Sequence, residues 1–190
     1  MNSFSSHPTA TVQGHVGKLS RIQAFSVIAS GAEVGEQVQI GSYCLLEGGA
    51  RVGSLARIGD RVTLPQGTVI GQRAVLEAGV AFSDRRPRPN AAPPPTRIGD
   101  DARIGANATI RCGVSIGRGA EVEPGAVVDA DVPDYALISA ALGMPTGWRC
   151  TCGQALDLPL TGDGHAACSC GRTYLLEGGR VTGYSAGGGR

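Results

Sequence analysis

The sequence has few aromatic residues, little net charge and no long apolar run. Aromatic side chains make up 4% of the 190 residues and the formal net charge is +1. Because aromatic side chains are few, a core must be built from small aliphatic side chains. Because the net charge is close to zero, no overall positive potential attracts the protein to nucleic acid. No apolar run approaches the roughly 20 residues that cross a bilayer, and the N-terminus lacks the basic and apolar regions of a signal peptide. We therefore expect a soluble, cytoplasmic protein with no membrane span and no nucleic-acid partner.

What the chain does contain is an apolar residue at every sixth position. One series runs from Val16 to Phe82 and a second from Ile98 to Val128, and small or β-branched residues follow most members four positions later. A helix would place apolar residues three and four apart, and simple strands would alternate, so a period of six indicates short strands separated by turns. This is the pattern of a parallel β-helix. The segments IASGAEVG, LEGGARVG and LPQGTVIG begin 18 residues apart, which predicts three sides per coil and about six coils.

The two series are out of phase by ten residues, so a loop leaves the prism over residues 83–97. Its sequence SDRRPRPNAAPPPTR holds four arginines, one aspartate and five prolines. A long excursion from a stacked solenoid is usually functional. The alternative is a solvated, variable loop.

Several segments resemble a known family beyond the repeat itself. HPTATV, RIGANATIRCGVSIG, GAVVDADVPDYALI, GWRCTCGQALDLP and CSCGRTYLLEGG are similar to the nucleotide-linked amino-sugar N-acetyltransferases of O-antigen assembly. The resemblance implies a left-handed parallel β-helix that binds acetyl-CoA between the subunits of a homotrimer. It also implies acetyl transfer to an amino group of a sugar nucleotide or a similar small polar acceptor.

The chain departs from that family where the acceptor binds. Gln23, Ala24 and Phe25 stand where the family has Trp-His-Phe, and Gly59, Asp60 and Arg61 stand where it has Gln-Asn-Asn. The usual Gly-Asn-Pro-Ala is replaced by residues 140–143. These departures support an alternative function, a non-catalytic prism that serves as a pseudo-enzyme or an assembly partner.

Candidate catalytic and binding residues lie in the excursion and in the C-terminal coils. The three histidines, His7, His15 and His165, all lie outside the central coils, which argues against a histidine base. Asp84 either accepts a proton from the amine or is a surface carboxylate. Arginines in the loop either clamp an anionic group or form a solvated basic loop. Small residues in the C-terminal coils either line the pantetheine arm of CoA, as the resemblance implies, or are turn and ladder residues. The acceptor set is Ser83, Arg85, Arg86 and Arg88, and the cofactor set is Gly105, Ala106, Gly125 and Ala126.

The C-terminal tail carries two matching CxCG units, at Cys150 and Cys152 and at Cys168 and Cys170. Four thiolates suit a structural zinc ion in a ribbon-like module too small for its own core. Free thiols and disulfides are the alternatives. The predicted organisation is a cap over 1–15, the β-helix over 16–139, a linker over 140–149, the tail over 150–178 and a frayed end over 179–190.

Overall fold

The computed structural model describes residues 4–83 and 95–185, and these residues form strands and turns without a helix. Before the excursion the strands are β1 (Ser5–Ser6), β2 (Thr11–Val12), β3 (His15–Val16), β4 (Arg21–Ile22), β5 (Val27–Ile28), β6 (Glu33–Val34), β7 (Gln39–Ile40), β8 (Leu45–Leu46), β9 (Arg51–Val52), β10 (Arg57–Ile58), β11 (Thr63–Leu64), β12 (Val69–Ile70), β13 (Val75–Leu76) and β14 (Ala81–Ser83). After it come β15 (Arg97–Ile98), β16 (Arg103–Ile104), β17 (Thr109–Arg111), β18 (Ser115–Ile116), β19 (Glu121–Val122) and β20 (Val127–Val128). The C-terminal strands are β21 (Ala136–Ile138), β22 (Pro145–Arg149), β23 (Ala155–Leu156), β24 (Gly164–Ala167), β25 (Arg172–Glu177) and β26 (Arg180–Ser185).

Every third strand pairs in parallel, which confirms the predicted three-sided parallel β-helix. Face one holds β1-β4-β7-β10-β13-β16-β19-β21; face two holds β2-β5-β8-β11 and β14-β17-β20; face three holds β3-β6-β9-β12-β15-β18. Ile58 lies opposite Ile40, whereas Ile70 lies opposite Ile98 across the excursion. The same coil therefore resumes after the loop, as the phase shift predicts.

The core consists of stacked aliphatic ladders. In each coil strand from β3 to β20, apart from β14, the second residue is buried and the first points outward, so one residue per side fills the prism. Small residues such as Ala50 and Ala108, each 0% exposed, fill the corners. Two serines depart from the apolar pattern, and both are satisfied inside the core. Ser20 Oγ donates to the Gly35 carbonyl at 2.8 Å, and Ser26 Oγ donates to the Gly41 carbonyl at 2.7 Å.

The solenoid has about seven turns rather than six. The extra turn is at the N-terminus, where β1 pairs with β4 and β2 pairs with β5. Residues predicted to form a cap over 1–15 thus include strands of the first coil.

The C-terminal segment is more ordered than the sequence suggested. The predicted linker over 140–149 contains β22, which pairs antiparallel with β21 and is followed by β23, so face one continues into the tail. Strands β24, β25 and β26 form a separate antiparallel sheet. The prediction that the chain frays after 178 is wrong for residues 180–185, which form β26. In the described part of the chain, no helix is long and apolar enough to cross a bilayer.

Candidate functional site

The root of the excursion is held at the corner between face two and face three. Strand β14 ends at Ser83, whose carbonyl accepts a hydrogen bond from the Cys112 amide at 3.0 Å. On the return side Thr96 is 4% exposed, and its Oγ1 accepts from the Gly113 amide at 2.8 Å. Both ends of the loop are therefore fixed to the turn that follows β17.

Only one residue of the predicted acceptor site lies within the described residues. Ser83 is half-buried at the end of β14. Asp84, Arg85, Arg86 and Arg88 lie outside the described residues.

The predicted cofactor residues stack on the opposite edge of face two, at its corner with face one. Gly125 donates its amide hydrogen to the Ala106 carbonyl at 2.8 Å, so the two coils meet there. Gly125 has a φ of +75° and open space where a Cβ would stand. Gly105 is buried, and a Cβ on it would meet the Pro124 nitrogen at 2.4 Å.

Two features of this corner differ from a simple cofactor cradle. Ala126 is 0% exposed, because its side chain belongs to the inner ladder. The Ala106 amide is also occupied, since it donates to Glu77 Oε2 at 2.9 Å. A ligand at this corner therefore meets Gly125 and the half-buried Ala106 side chain rather than the side chain of Ala126.

Between the loop root and this corner lie the three strands β14, β17 and β20. Their outward first residues are Ala81, Thr109 and Val127, the last 58% exposed, and the exposed Arg111 is the third residue of β17. With a rise of about 3.3 Å per residue, strands of two or three residues are roughly 7–10 Å long. Ser83, at the root of the excursion, and the predicted cofactor corner thus lie at opposite ends of the same three strands.

Carboxylates along the described corners mainly satisfy turn amides. Glu123 Oε2 accepts from the Ala140 amide at 2.9 Å, and Asp100 Oδ1 accepts from the Gln72 amide at 2.7 Å. Asp101 instead pairs with Arg73, with Nε 2.6 Å from Oδ1. This hydrogen bond and the charge of Arg73 outweigh partial burial, and they lower the pKa of Asp101.

A cavity, here called the face-one cavity, lies on face one against the tail. It has a volume of about 360 Å³ and is lined by Glu77, Arg103, Gly105, Glu121, Arg149 and Cys152, among others. Arg149 Nε lies 3.1 Å from Glu121 Oε2, and its Nη1 donates to the Gly153 carbonyl at 2.8 Å. Arg149 thereby ties the first CxCG turn to β19.

The four tail cysteines converge. Their Sγ atoms all lie within 4.8 Å of one another, although the two CxCG units are separated in sequence. Sγ of Cys150 is 3.5 Å from that of Cys170, and Sγ of Cys152 is 3.5 Å from that of Cys168. Burial raises the pKa of Cys150, but hydrogen bonds from the Cys152 amide and the Tyr174 hydroxyl outweigh it and bring the pKa to about 6.

Comparison with known proteins agrees with the repeat of the solenoid. A family model described as the hexapeptide repeat of succinyl-transferase matches residues 37–82 and 95–130. The solenoid is a hexapeptide-repeat fold. The interruption in the match falls within the excursion that the phase shift predicted. No curated protein matches this chain.

Several solved structures are similar to this chain at low identity. The acetyltransferase domain of PglB from Neisseria gonorrhoeae is 23% identical, with 76% of this chain and 58% of that chain covered and a TM-score of 0.44. A mutant of AntD, an N-acyltransferase from Bacillus cereus, in complex with dTDP and coenzyme A, is 16% identical, with 70% and 74% covered and a TM-score of 0.42. PerB from Caulobacter crescentus, in complex with CoA and GDP-perosamine, is 23% identical, with 77% and 58% covered and a TM-score of 0.36. The hexapeptide-repeat chain therefore spans less than two thirds of the PglB domain and of PerB.

Proposed function

We propose that the protein is an acyl-CoA-dependent N-acyltransferase that moves an acetyl group to an amino group of a sugar nucleotide or a similar small polar acceptor. One structural observation carries the proposal. The root of the excursion at Ser83 and the corner formed by Gly105, Ala106 and Gly125 lie at opposite ends of the strands β14, β17 and β20 of face two. A donor along one edge and an acceptor held from the other edge would meet across Ala81, Thr109 and Val127. The hexapeptide-repeat match, whose description names a succinyl-transferase repeat, supports the acyl-transfer class.

The chemistry needs positioning more than a specialised base. The amine nitrogen attacks the thioester carbonyl, the carbon–sulfur bond breaks, and an amide forms while CoA leaves as a thiol. Holding a neutral amine in line with the thioester supplies much of the rate. Asp84 is proposed to accept the amine proton, and Arg85, Arg86 and Arg88 are proposed to hold an anionic group of the acceptor by paired hydrogen bonds.

Assembly would complete the donor site. Several outward residues of face two are apolar, including Val27, Leu45, Ala81 and Val127. We propose a homotrimer with acetyl-CoA in the grooves between subunits and with each excursion reaching over a neighbour. We also propose a cytoplasmic location, where acyl-CoA is supplied.

The test is direct measurement of transfer. Purified protein is incubated with acetyl-CoA and a panel of amino-sugar nucleotides, and the released CoA thiol is followed with a thiol reagent. Arg85→Ala combined with Arg86→Ala should raise KM for the acceptor or for acetyl-CoA while leaving the oligomer intact. Arg51→Ala, which removes only an exposed ion pair with Glu33 on face three, is the matched control and should leave the kinetics unchanged.

Two results would count against the proposal. If KM and kcat of the double variant equal those of the wild type, the loop arginines do not take part in binding or catalysis. No transfer to any amino acceptor, on protein of confirmed oligomeric state, would favour the non-catalytic prism.

A further inference from the structure

We propose that Cys150, Cys152, Cys168 and Cys170 bind one structural zinc ion, which locks the tail onto the end of the solenoid and fixes one wall of the face-one cavity. The zinc site does not depend on the proposed acyl transfer. It rests on the convergence of four sulfur atoms, the backbone that presents them and the donors that surround them.

The spacing of the sulfurs suits tetrahedral coordination. With zinc–sulfur bonds of about 2.3 Å, the edges of a thiolate tetrahedron measure about 3.8 Å. The observed Sγ separations begin at 3.5 Å and none exceeds 4.8 Å. Small side-chain rotations therefore bring all four sulfurs to bonding distance around one centre.

The two CxCG units present their sulfurs through the same turn. The Gly153 amide donates to the Cys150 carbonyl at 2.8 Å, and the Gly171 amide donates to the Cys168 carbonyl at 2.9 Å. Both glycines have a positive φ, +97° and +87°, and a Cβ on either would meet open space. The glycines thus serve the turn conformation, which any side chain would strain, rather than a close contact. The chain builds the same two-cysteine turn twice and brings the two copies together.

The surroundings supply the hydrogen bonds that a thiolate centre needs. Four thiolates around a divalent zinc carry a net charge of −2, so donors and a cation beside the sulfurs stabilise the centre. Tyr174 donates its hydroxyl hydrogen to Cys150 Sγ at 3.0 Å, and Arg172 Nη1 donates to Cys170 Sγ at 3.4 Å. The Cys152 amide also points to Cys150 Sγ, at 3.5 Å.

The tail has little else to hold it together. Its separate sheet buries only a few sizeable side chains, chiefly Tyr174, Leu176 and Val181. Modules with so small a core usually depend on a metal or on disulfides. The structure holds all four thiols free, and each close Sγ pair stands 3.5 Å apart, far from the roughly 2.05 Å of a disulfide bond.

The cluster is connected to the solenoid and to the cavity. Tyr174 packs edge-on against Tyr135, with ring centroids 5.1 Å apart, at the last coil. Cys152 and Gly153 line the cavity with Gly105 and Glu121. Removing the metal would therefore release a wall of the cavity while the coils remain.

Metal analysis of the full chain, purified without added zinc, tests the proposal. Wild-type protein should carry about one zinc per chain, by the four-ligand geometry. Cys168→Ser combined with Cys170→Ser should lose that zinc, whereas Cys112→Ser, a solenoid cysteine outside the cluster, should keep it. Replacement by Co²⁺ should give the sulfur-to-metal absorption bands of tetrahedral thiolate coordination.

Hydrogen exchange adds a readout that does not depend on the variants folding. Stripping zinc with a strong chelator should expose the amides of β24–β26 and leave the ladder amides of β5–β13 protected. Wild-type protein without metal, protein with two disulfides by thiol titration, or protein that contains iron instead would each overturn the zinc site. Unchanged protection of β24–β26 after zinc is removed would overturn its structural role.

Discussion

Replacing Ile110 by alanine should destabilise the coils on either side of it. Ile110 is 0% exposed and stacks between Phe82 of the preceding coil and Val128 of the next. The change removes three carbons, which at about 0.8 kcal/mol per buried CH₂ is roughly 2.4 kcal/mol before any cavity term. A cavity in a close-packed ladder adds to this, so we expect a loss of about 2–5 kcal/mol in the free energy of unfolding.

Urea unfolding followed by far-UV circular dichroism measures the loss, and hydrogen exchange locates it. Because a solenoid is held by neighbouring coils, the amides of β14, β17 and β20 should lose protection before those of β5 and β8. Gln39→Ala, at an exposed outward position of face one, should stay within about 0.5 kcal/mol of wild type. A loss below about 1 kcal/mol for Ile110→Ala would refute the view that the ladders hold the prism.

Three further predictions follow from other contacts. Gly105→Ala should lower Tm by several degrees because its Cβ would lie 2.4 Å from the Pro124 nitrogen, whereas Gly147→Ala, which meets nothing within 4 Å, should not. The pairing with Arg73 lowers the pKa of Asp101, so the pair stabilises the fold only while Asp101 is ionised. The free energy of unfolding should therefore fall as pH drops below about 3.8, where the unfolded chain takes up the proton first. Asp101→Asn should make Tm less dependent on pH in this range. Tyr174→Phe should speed zinc release to a chelator, because it removes the hydroxyl that donates to Cys150 Sγ. An unchanged release rate would show that this hydrogen bond does not stabilise the zinc site.

The coils were predictable because each side repeats one simple rule. Each side has a buried aliphatic residue every six positions and a small residue in the turn. This pattern determines the period and the inward face, so the ladders and the excursion could be located in the sequence from Val16 onward. The first coil was missed because it is shorter. Val12 lies opposite Ile28, 16 residues on, whereas the coils from Val16 to the excursion repeat every 18, as Val16 opposite Val34 and Ile40 opposite Ile58 show. That offset breaks the period just before Val16.

The tail and the candidate site were predictable only in part. The two CxCG units indicated a cysteine cluster, which the structure brings together. The strand β26 was missed because its glycines suggested fraying. Gly183 is instead a close-contact residue, since a Cβ there would lie 2.8 Å from Tyr174 Cε1. The role of Glu77 on the Ala106 amide could not be predicted, because it joins residues 29 positions apart across the excursion.

Acetyl-CoA binding, measured by calorimetry on protein whose oligomeric state has been checked, tests the central claim most directly. The proposed transferase predicts binding of about one acetyl-CoA per chain, from one groove for each subunit of a closed ring. Binding should be weakened by Gly125→Trp, which fills the open corner beside Ala106, and kept by Gly147→Ala. A confirmed trimer that binds neither acetyl-CoA nor longer acyl-CoAs would contradict the transferase and leave the prism as a non-catalytic assembly partner.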